Sequence, residues 1–402
     1  MKVLVAIFEE LVPISGGGTP RISSVVCAFA QRGHEVYVAC STGTTREETI
    51  AALQCRDVLP LPGVSRLDRR KMLKYLYTYP WNMAKLASYA RKIRPDLIVS
   101  HNSVAGYGAV LSHFLGSKGL TVLDLTDVLF EYLEDYGSRG WLGIVRAIGR
   151  RMEGDAFRRS DRIITISRAM ADIIAGKGVR RERVDIVHDG VDIEIFHPMD
   201  ESPLRQRHAP DAEHVLIYHG VIDPQDEPML LLDAVGLILE RFPRTAFWLV
   251  GSGAAVPSLQ ARVEKEGWKD RFLFSGWVSQ EEVPRYISAS DLGLVILPDV
   301  ISARGRVTLK EFEYWGCGIP AILPRLPALE EMVPDGEASR FYQPGDAQDL
   351  ARQTIALLED QELRLRMGRR GMEMVKERFQ WPALADEFVA LCEGYLERGL
   401  SA

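Results

Sequence analysis

Apolar and polar positions alternate along the chain in two rhythms that follow each other repeatedly. KVLVAIF near the N-terminus is a continuous apolar run of strand length. Residues 21–32 then carry apolar positions at helical spacing, and Glu35–Ala39 (EVYVA) returns to a strand. The same signature predicts strands at Asp96–Ser100, Thr121–Leu125 and Arg162–Ile166, with helical stretches between them. Strands interleaved with helices predict a parallel sheet covered on both faces. A polar, Pro-containing stretch, HPMDESPLRQRHAPDAEH, interrupts this rhythm from His197 to His214 and reads as an interdomain linker. The pattern then restarts with HVLIYHG, a helix over Met229–Phe242, AFWLVGSG, FLFSGWV and DLGLVILP. A helix from about Thr308 to Gly316, the strand PAILP and long closing helices follow. The fold class expected is α/β with two Rossmann-like domains, one over 1–200 and one over 205–380.

A length of 402 residues suits two such domains. No apolar run reaches the roughly 20 residues that span a bilayer. Glu9 and Glu10 break the first apolar stretch too early for a signal peptide, so it reads as a buried strand. Five scattered cysteines, with no metal-type spacing, suit reduced thiols and a cytoplasmic setting. The net charge of −6 makes no case for nucleic acid. Its distribution is uneven: residues 1–198 carry 27 Lys/Arg against 22 Asp/Glu, and the remainder 22 against 33. The basic half and the acidic half are suited to different partners.

Three features carry candidate chemistry. Gly16-Gly17-Gly18 follows the first strand and precedes a helix, where backbone N–H groups and the helix dipole can receive an anion. Its spacing does not fit a dinucleotide fingerprint. In RVTLKEFEYWGCGIPAIL (306–323), Lys310 and Glu313 lie at i and i+3 on one helix face. A cation there suits a diphosphate, and a carboxylate one turn on can accept from a pair of sugar hydroxyls; on spacing alone an ordinary surface ion pair on an amphipathic helix is the favoured reading. Finally, Gly220, Gly251 with Gly253, and Gly276 stand at successive strand ends, where open parallel sheets bind ligands.

In this order and spacing the segments resemble the retaining glycosyltransferases of family 4, which have the GT-B fold of two Rossmann-like domains facing a central cleft. The likeness includes Arg32-Gly33-His34-Glu35-Val36, DRIITIS ending in Ser167, IVHDGVDIEIFHP (186–198), KEFEYWGCGIPAI, EEMVPDGEASRFYQPGD (330–346) and Phe379-Gln380-Trp381. It implies transfer of a hexosyl unit from a nucleotide-sugar donor to a hydroxyl acceptor, with retention, no metal and no cofactor. Front-face attack, with the leaving phosphate as base, then rests on charge stabilisation and positioning. Glu313 takes the place of the ribose-binding carboxylate, and Gly16 and Gly17 that of the pair beside the donor diphosphate. His101 falls on the acceptor side. The final helix, near 383–402, is expected to return to the N-terminal domain.

The chain departs from the family pattern at three places. The usual diphosphate-binding Arg and Lys are replaced by Val221 and Asp226. The first of the family's two glutamates falls at Gly305, so the chain resembles a subgroup with K-x-x-E-Y, matched by Lys310, Glu313 and Tyr314. The active-site histidine falls near Thr126-Asp127, and Asp127 matches an acid of that subgroup. Arg304, Arg306 and Lys310 are candidates for the missing positive charge beside the donor. A GT-B sugar-nucleotide epimerase and a catalytically silent scaffold subunit remain the competing readings.

Two basic stretches raise the question of a membrane surface. Residues 66–94 hold nine basic residues and one acidic, with Tyr75, Tyr77, Tyr79 and Trp81 among them. Residues 139–162 place Trp141, Ile144, Val145, Ile148 and Met152 at helical spacing beside Arg146, Arg150 and Arg151. A basic amphipathic helix can lie on an anionic bilayer, and peripheral contact at the inner face of a membrane would follow. The first stretch leaves that reading and a solvated basic face open. The second is expected to pack its apolar stripe on the sheet.

Overall fold

The computed structural model describes residues 1–12, 17–63, 71–131 and 141–399, with backbone only at 71–73, 75–76, 141–142 and 399. The chain forms two compact units: Met1–His188 with Trp381–Ala402, and Asp189–Gln380.

The first unit is built on seven parallel strands, β1 (Lys2–Val12), β2 (Glu35–Thr42), β3 (Asp57–Pro60), β4 (Leu97–His101), β5 (Leu120–Leu125), β6 (Arg162–Thr165) and β7 (Val184–Ile186), in the order β3-β2-β1-β4-β5-β6-β7. The continuous apolar run of β1 follows from this topology: a central parallel strand is covered on both faces, and Val3 to Phe8 are all buried. Helix Thr19–Gln31 packs against the closing helix Trp381–Gly399. That contact explains Arg32-Gly33-His34: Gly33 turns the chain at φ +81°, and Arg32 and His34 both bond Glu393, at 2.6 and 2.8 Å. Ser167 caps the helix Arg168–Gly176 by accepting from the Met170 N–H at 3.0 Å.

The second unit has six parallel strands, β8 (His214–Val221), β9 (Thr245–Ser252), β10 (Phe272–Gly276), β11 (Leu292–Leu294), β12 (Ala321–Pro324) and β13 (Ser339–Tyr342), in the order β10-β9-β8-β11-β12-β13. Phe379 packs on Phe312 with ring centroids 4.8 Å apart, and its carbonyl accepts from the Val191 N–H, so the segments that enter and leave the unit are tied side by side.

The division between the units falls at His188/Asp189, not inside 197–214. Ser202–His208 in that stretch is a short helix of the second unit, with Arg205 bonded to Asp291 at 2.9 Å. A second difference concerns helix Trp141–Arg159. Its packed face is Gly149, Glu153, Ala156 and Phe157, whereas Ile144 and Ile148 are exposed. Of the expected stripe, Met152 packs against the core, whereas Ile144 and Ile148 do not. Among the described residues, no helix is long and apolar enough to cross a membrane.

Candidate donor and acceptor sites

In both sheets the strand order reverses beside the first strand of the unit, between β8 and β11 and between β1 and β4. Crevices at the carboxyl ends of the strands open at such points.

In the second unit β8 ends in His219-Gly220. Gly220 has φ +104°, and a Cβ there would lie 3.4 Å from Lys310 Cε and 3.7 Å from Nζ. Gly251, at the end of β9, has φ +144°, and a Cβ there would lie 1.9 Å from the Gly220 carbonyl oxygen. At Gly251 the Gly220 carbonyl leaves no room for a side chain, and at Gly220, where a Cβ would only touch Lys310, the positive φ is what favours glycine. Gly276 ends β10 at φ +71° with open space around it.

Lys310 opens the helix Lys310–Gly316. Its Nζ lies over the Tyr218 ring at 5.5 Å from the centroid. Burial pulls the ammonium below its usual range; Asp226 opposes that shift, and Arg306 adds to it. One turn on, Glu313 is buried, and burial pushes its carboxyl up to about 8 even with Lys310 pulling it down. His219 Nε2 stands 3.2 Å from Glu313 Oε2 without completing a hydrogen bond. Burial, then the charge of Lys310, pushes His219 down to about 3, so the imidazole is neutral. At neutral pH the free site thus holds an uncharged carboxyl against an uncharged imidazole.

Tyr314 is placed in the core. Its hydroxyl donates to the carbonyls of Leu294 (3.0 Å) and Ile217 (3.3 Å), its ring fills the space over Gly293, and it meets His219 edge-on at 5.0 Å. Its geometry suits a strut that fixes β8, β11 and the His219 ring, not a donor contact. Glu311, which the sequence reading passed over, is fully buried: it accepts from the Thr308 N–H at 2.9 Å and from the Thr308 hydroxyl, so it closes the helix start on itself. The Thr-x-x-Glu spacing before the helix carried that signal.

The two arginines separate. Arg306 donates to the buried Asp226 at 2.8 Å, so the acid found in place of a family lysine is paired within the site. Arg304 forks onto Asp299 at 2.6 and 3.1 Å in an exposed ion pair. The charge of Arg306 is largely offset by its partner, and Lys310 is the cation held against the strand-end glycines.

In the first unit, Gly17 has φ +63° and precedes the helix Thr19–Gln31; Gly16 lies outside the described residues. His101 ends β4, buried. Its Nδ1 is 2.7 Å from Asp124 Oδ2, while Nε2 faces Gly18, where a Cβ would come within 2.1 Å. Asp124 also accepts from Arg21 Nε at 2.8 Å, and Arg21 reaches the carbonyls of Val187 and His188 at 2.9 Å. This buried Arg21-Asp124-His101 chain was invisible to motif reading, because its members lie far apart along the chain. Burial opposes charge on His101, but the bond to Asp124 outweighs it and raises the imidazole. Asp127 follows β5, half-buried, next to Thr126, whose hydroxyl donates to Asn102 at 3.2 Å. No group of three or more His, Cys, Asp or Glu among the described residues is placed to hold a metal ion.

Residues 15–195 match the Glycosyltransferase Family 4 model, and residues 213–360 match the Glycosyl transferases group 1 model. A mannosylfructose-phosphate synthase of Agrobacterium fabrum is 25% identical over 251 residues, 59% of this chain and 54% of that protein. An N-acetyl-alpha-D-glucosaminyl L-malate synthase of Bacillus anthracis is 24% identical over 368 residues, 90% of this chain and 89% of that protein. The chain spans about half the length of several curated relatives it matches, the synthase of Agrobacterium fabrum among them. The crystal structure of Anabaena HepE in complex with UDP-glucose superposes with a TM-score of 0.77 at 20% identity, over 98% of this chain and 100% of that one. The fold is GT-B.

Proposed function

We propose that this chain, which matches the Glycosyltransferase Family 4 model over residues 15–195 and the Glycosyl transferases group 1 model over residues 213–360, transfers a hexosyl unit from a nucleotide-diphosphate sugar to a hydroxyl acceptor, with retention and without a metal. The observation that carries this reading is the Lys310–Glu313 face at the carboxyl edge of the second sheet, held by Tyr218, Gly220 and His219. Lys310 neutralises charge that grows on the departing diphosphate, and a desolvated ammonium does so more strongly than one in water. Glu313, as carboxylate, accepts from the two ribose hydroxyls. Asp226 fixes Arg306 beside this site. Retention by front-face attack gives the leaving phosphate the role of base, so the protein supplies position and field and no nucleophile.

The first unit takes the acceptor side in this reading. Gly17 and the helix that follows offer backbone N–H groups to the donor diphosphate, His101 lines the acceptor side, and Asp127 stands near the acceptor hydroxyl. The UDP-glucose of the HepE complex favours a uridine diphosphate donor. Tyr314 and Arg304 support the fold around the donor and need not touch it.

Thermal-shift measurements with UDP, GDP and ADP test the donor half of the proposal. A ligand at a hundred times its dissociation constant stabilises a protein by about 2.7 kcal/mol, a readily measured rise in melting temperature. The nucleotide that stabilises then selects the sugar donors for a hydrolysis assay. If none of the three raises the melting temperature, the donor site is not functional and the scaffold reading replaces this one.

A further inference from the structure

Two helices of the first unit expose large apolar side chains where a solvated surface would place polar ones. In helix Lys71–Ile93, Tyr77 is 64% and Trp81 58% exposed, one turn apart. In helix Trp141–Arg159, Ile144 is 64% and Ile148 56% exposed, again one turn apart, and Arg151 follows on the same exposed face. Both helices pack against Asn102–Phe114, one on each side, so they belong to one layer of the unit. Both follow strands of a parallel sheet, β3 and β5, so they start at its carboxyl edge. The four apolar residues all lie in the first half of their helices, toward that edge, and His101 and Asp127 stand at the same edge.

We propose that this face is a docking surface for an anionic lipid bilayer. The charge of the region selects that occupant: the stretches 74–88 and 143–151, which hold the two pairs, carry Lys74, Lys85, Arg146, Arg150 and Arg151 and no acidic residue, in a chain whose net charge is −6. An aromatic pair flanked on its helix by Lys74 and Lys85, and an aliphatic pair followed by Arg151, match an interface with apolar chains below and anionic headgroups above. Trp and Tyr suit the headgroup level, where one end of the ring is apolar and the other wet. The inner faces of the same helices are already committed: Met83, Leu86, Ala156 and Phe157 fill the core, so Tyr77, Trp81, Ile144 and Ile148 are surplus to folding. Docked by this layer, the carboxyl edge of the first sheet lies close to the lipid surface, within reach of an acceptor hydroxyl carried on a lipid headgroup.

The test is co-sedimentation of the full chain with vesicles of phosphatidylglycerol and phosphatidylcholine in equal parts, against phosphatidylcholine alone. Binding is expected only to the anionic vesicles and should weaken with salt. The double variants Tyr77→Ser/Trp81→Ser and Ile144→Ser/Ile148→Ser should each lower the partition on the order of tenfold while leaving the melting temperature unchanged. A second measurement needs no variant: brominated acyl chains in the anionic vesicles should quench tryptophan fluorescence of the native chain. Failure to sediment with anionic vesicles at low salt overturns the proposal, as does binding that the serine variants leave intact. Concentration-dependent self-association in centrifugation, lost in the same variants and without vesicle binding, assigns the face to a second copy and also overturns it. None of these readouts uses a nucleotide, so they stand or fall apart from the donor assignment.

Discussion

Replacing Glu313 by glutamine separates the cost of burying this carboxyl from its use. In the free protein burial raises it from 4.5 to about 8. Below pH 4.5 the group is protonated in both folded and unfolded chains and has no effect. Between 4.5 and 8 the folded chain keeps a proton that the unfolded chain has released, so stability falls as pH rises. Above 8 the loss is complete. Since one unit is worth about 1.4 kcal/mol, the whole shift corresponds to about 5 kcal/mol. Glutamine keeps the shape and cannot ionise. Glu313→Gln is therefore expected to match the native chain near pH 4.5 and to exceed it increasingly up to pH 8, with a plateau beyond. Urea unfolding followed by tryptophan fluorescence, with Trp248 and Trp315 buried in this unit, gives the difference at each pH. The same substitution should weaken nucleotide binding. Ribose hydroxyls donate to the carboxylate and favour its ionised form, so in the native chain donor affinity rises with pH toward 8; in the variant it is lower and flat. A variant whose stability runs parallel to the native chain from pH 5 to 9 would refute the buried, protonated carboxyl.

Lys310→Met should lower kcat/KM by about 10²–10³ through loss of diphosphate stabilisation, with no fall in melting temperature, because the ammonium is held there against its own desolvation. Asp226→Asn leaves Arg306 without its buried carboxylate and should cost on the order of 3 kcal/mol in urea unfolding; an unchanged midpoint would show that the pair at 2.8 Å is not formed. Asp124→Asn removes the acceptor shared by Arg21 and His101 and should destabilise the first unit by about 3–5 kcal/mol, read as earlier unfolding while UDP stabilisation of the second unit persists. Gly251→Ala forces a Cβ against the Gly220 carbonyl and should abolish the nucleotide-induced thermal shift.

The two-sheet fold was legible because central parallel strands are apolar on both faces, and VLVAIF in β1, VLIY in β8 and AFWLV in β9 are unbroken runs that no amphipathic helix mimics. β3, β7 and β13 were not assigned because each short strand carries a polar or charged residue (DVLP, VDI, SRFY), whereas β6, β11 and β12, equally short, sit in the apolar runs IITI, LGLVIL and PAILP. Lys310 and Glu313 were legible as a pair by their spacing. Their state was not: the neutrality of Glu313 and His219 depends on desolvation by neighbours such as Tyr218 and Tyr314, which come from β8 and from the helix itself. The Asp226–Arg306 pair joins positions 80 residues apart, which one sequence cannot pair. Asp226 therefore read as an unexplained loss of positive charge, whereas in the fold it is half of an ion pair.

The helix Trp141–Arg159 shows where periodicity stops deciding. Apolar residues at 144, 145, 148 and 152 satisfy the spacing of a buried stripe, and Gly149, Glu153, Ala156 and Phe157 satisfy it as well on another face. Side-chain polarity favours the first set, because all four of its members are large and apolar, whereas the second contains a glycine, an alanine and a carboxylate. The fold takes the second. Gly149 admits the Phe130 ring, where any Cβ would come within 2.0 Å, and Glu153 is buried with the Ser103 hydroxyl donating to it at 3.1 Å. Close approach to the neighbouring elements needs small residues and satisfied polar ones, so shape outranks polarity at this interface. Met152 still meets the core, but Ile144 and Ile148 are left outside with no folding role to account for them, and that surplus is what the bilayer measurement interrogates.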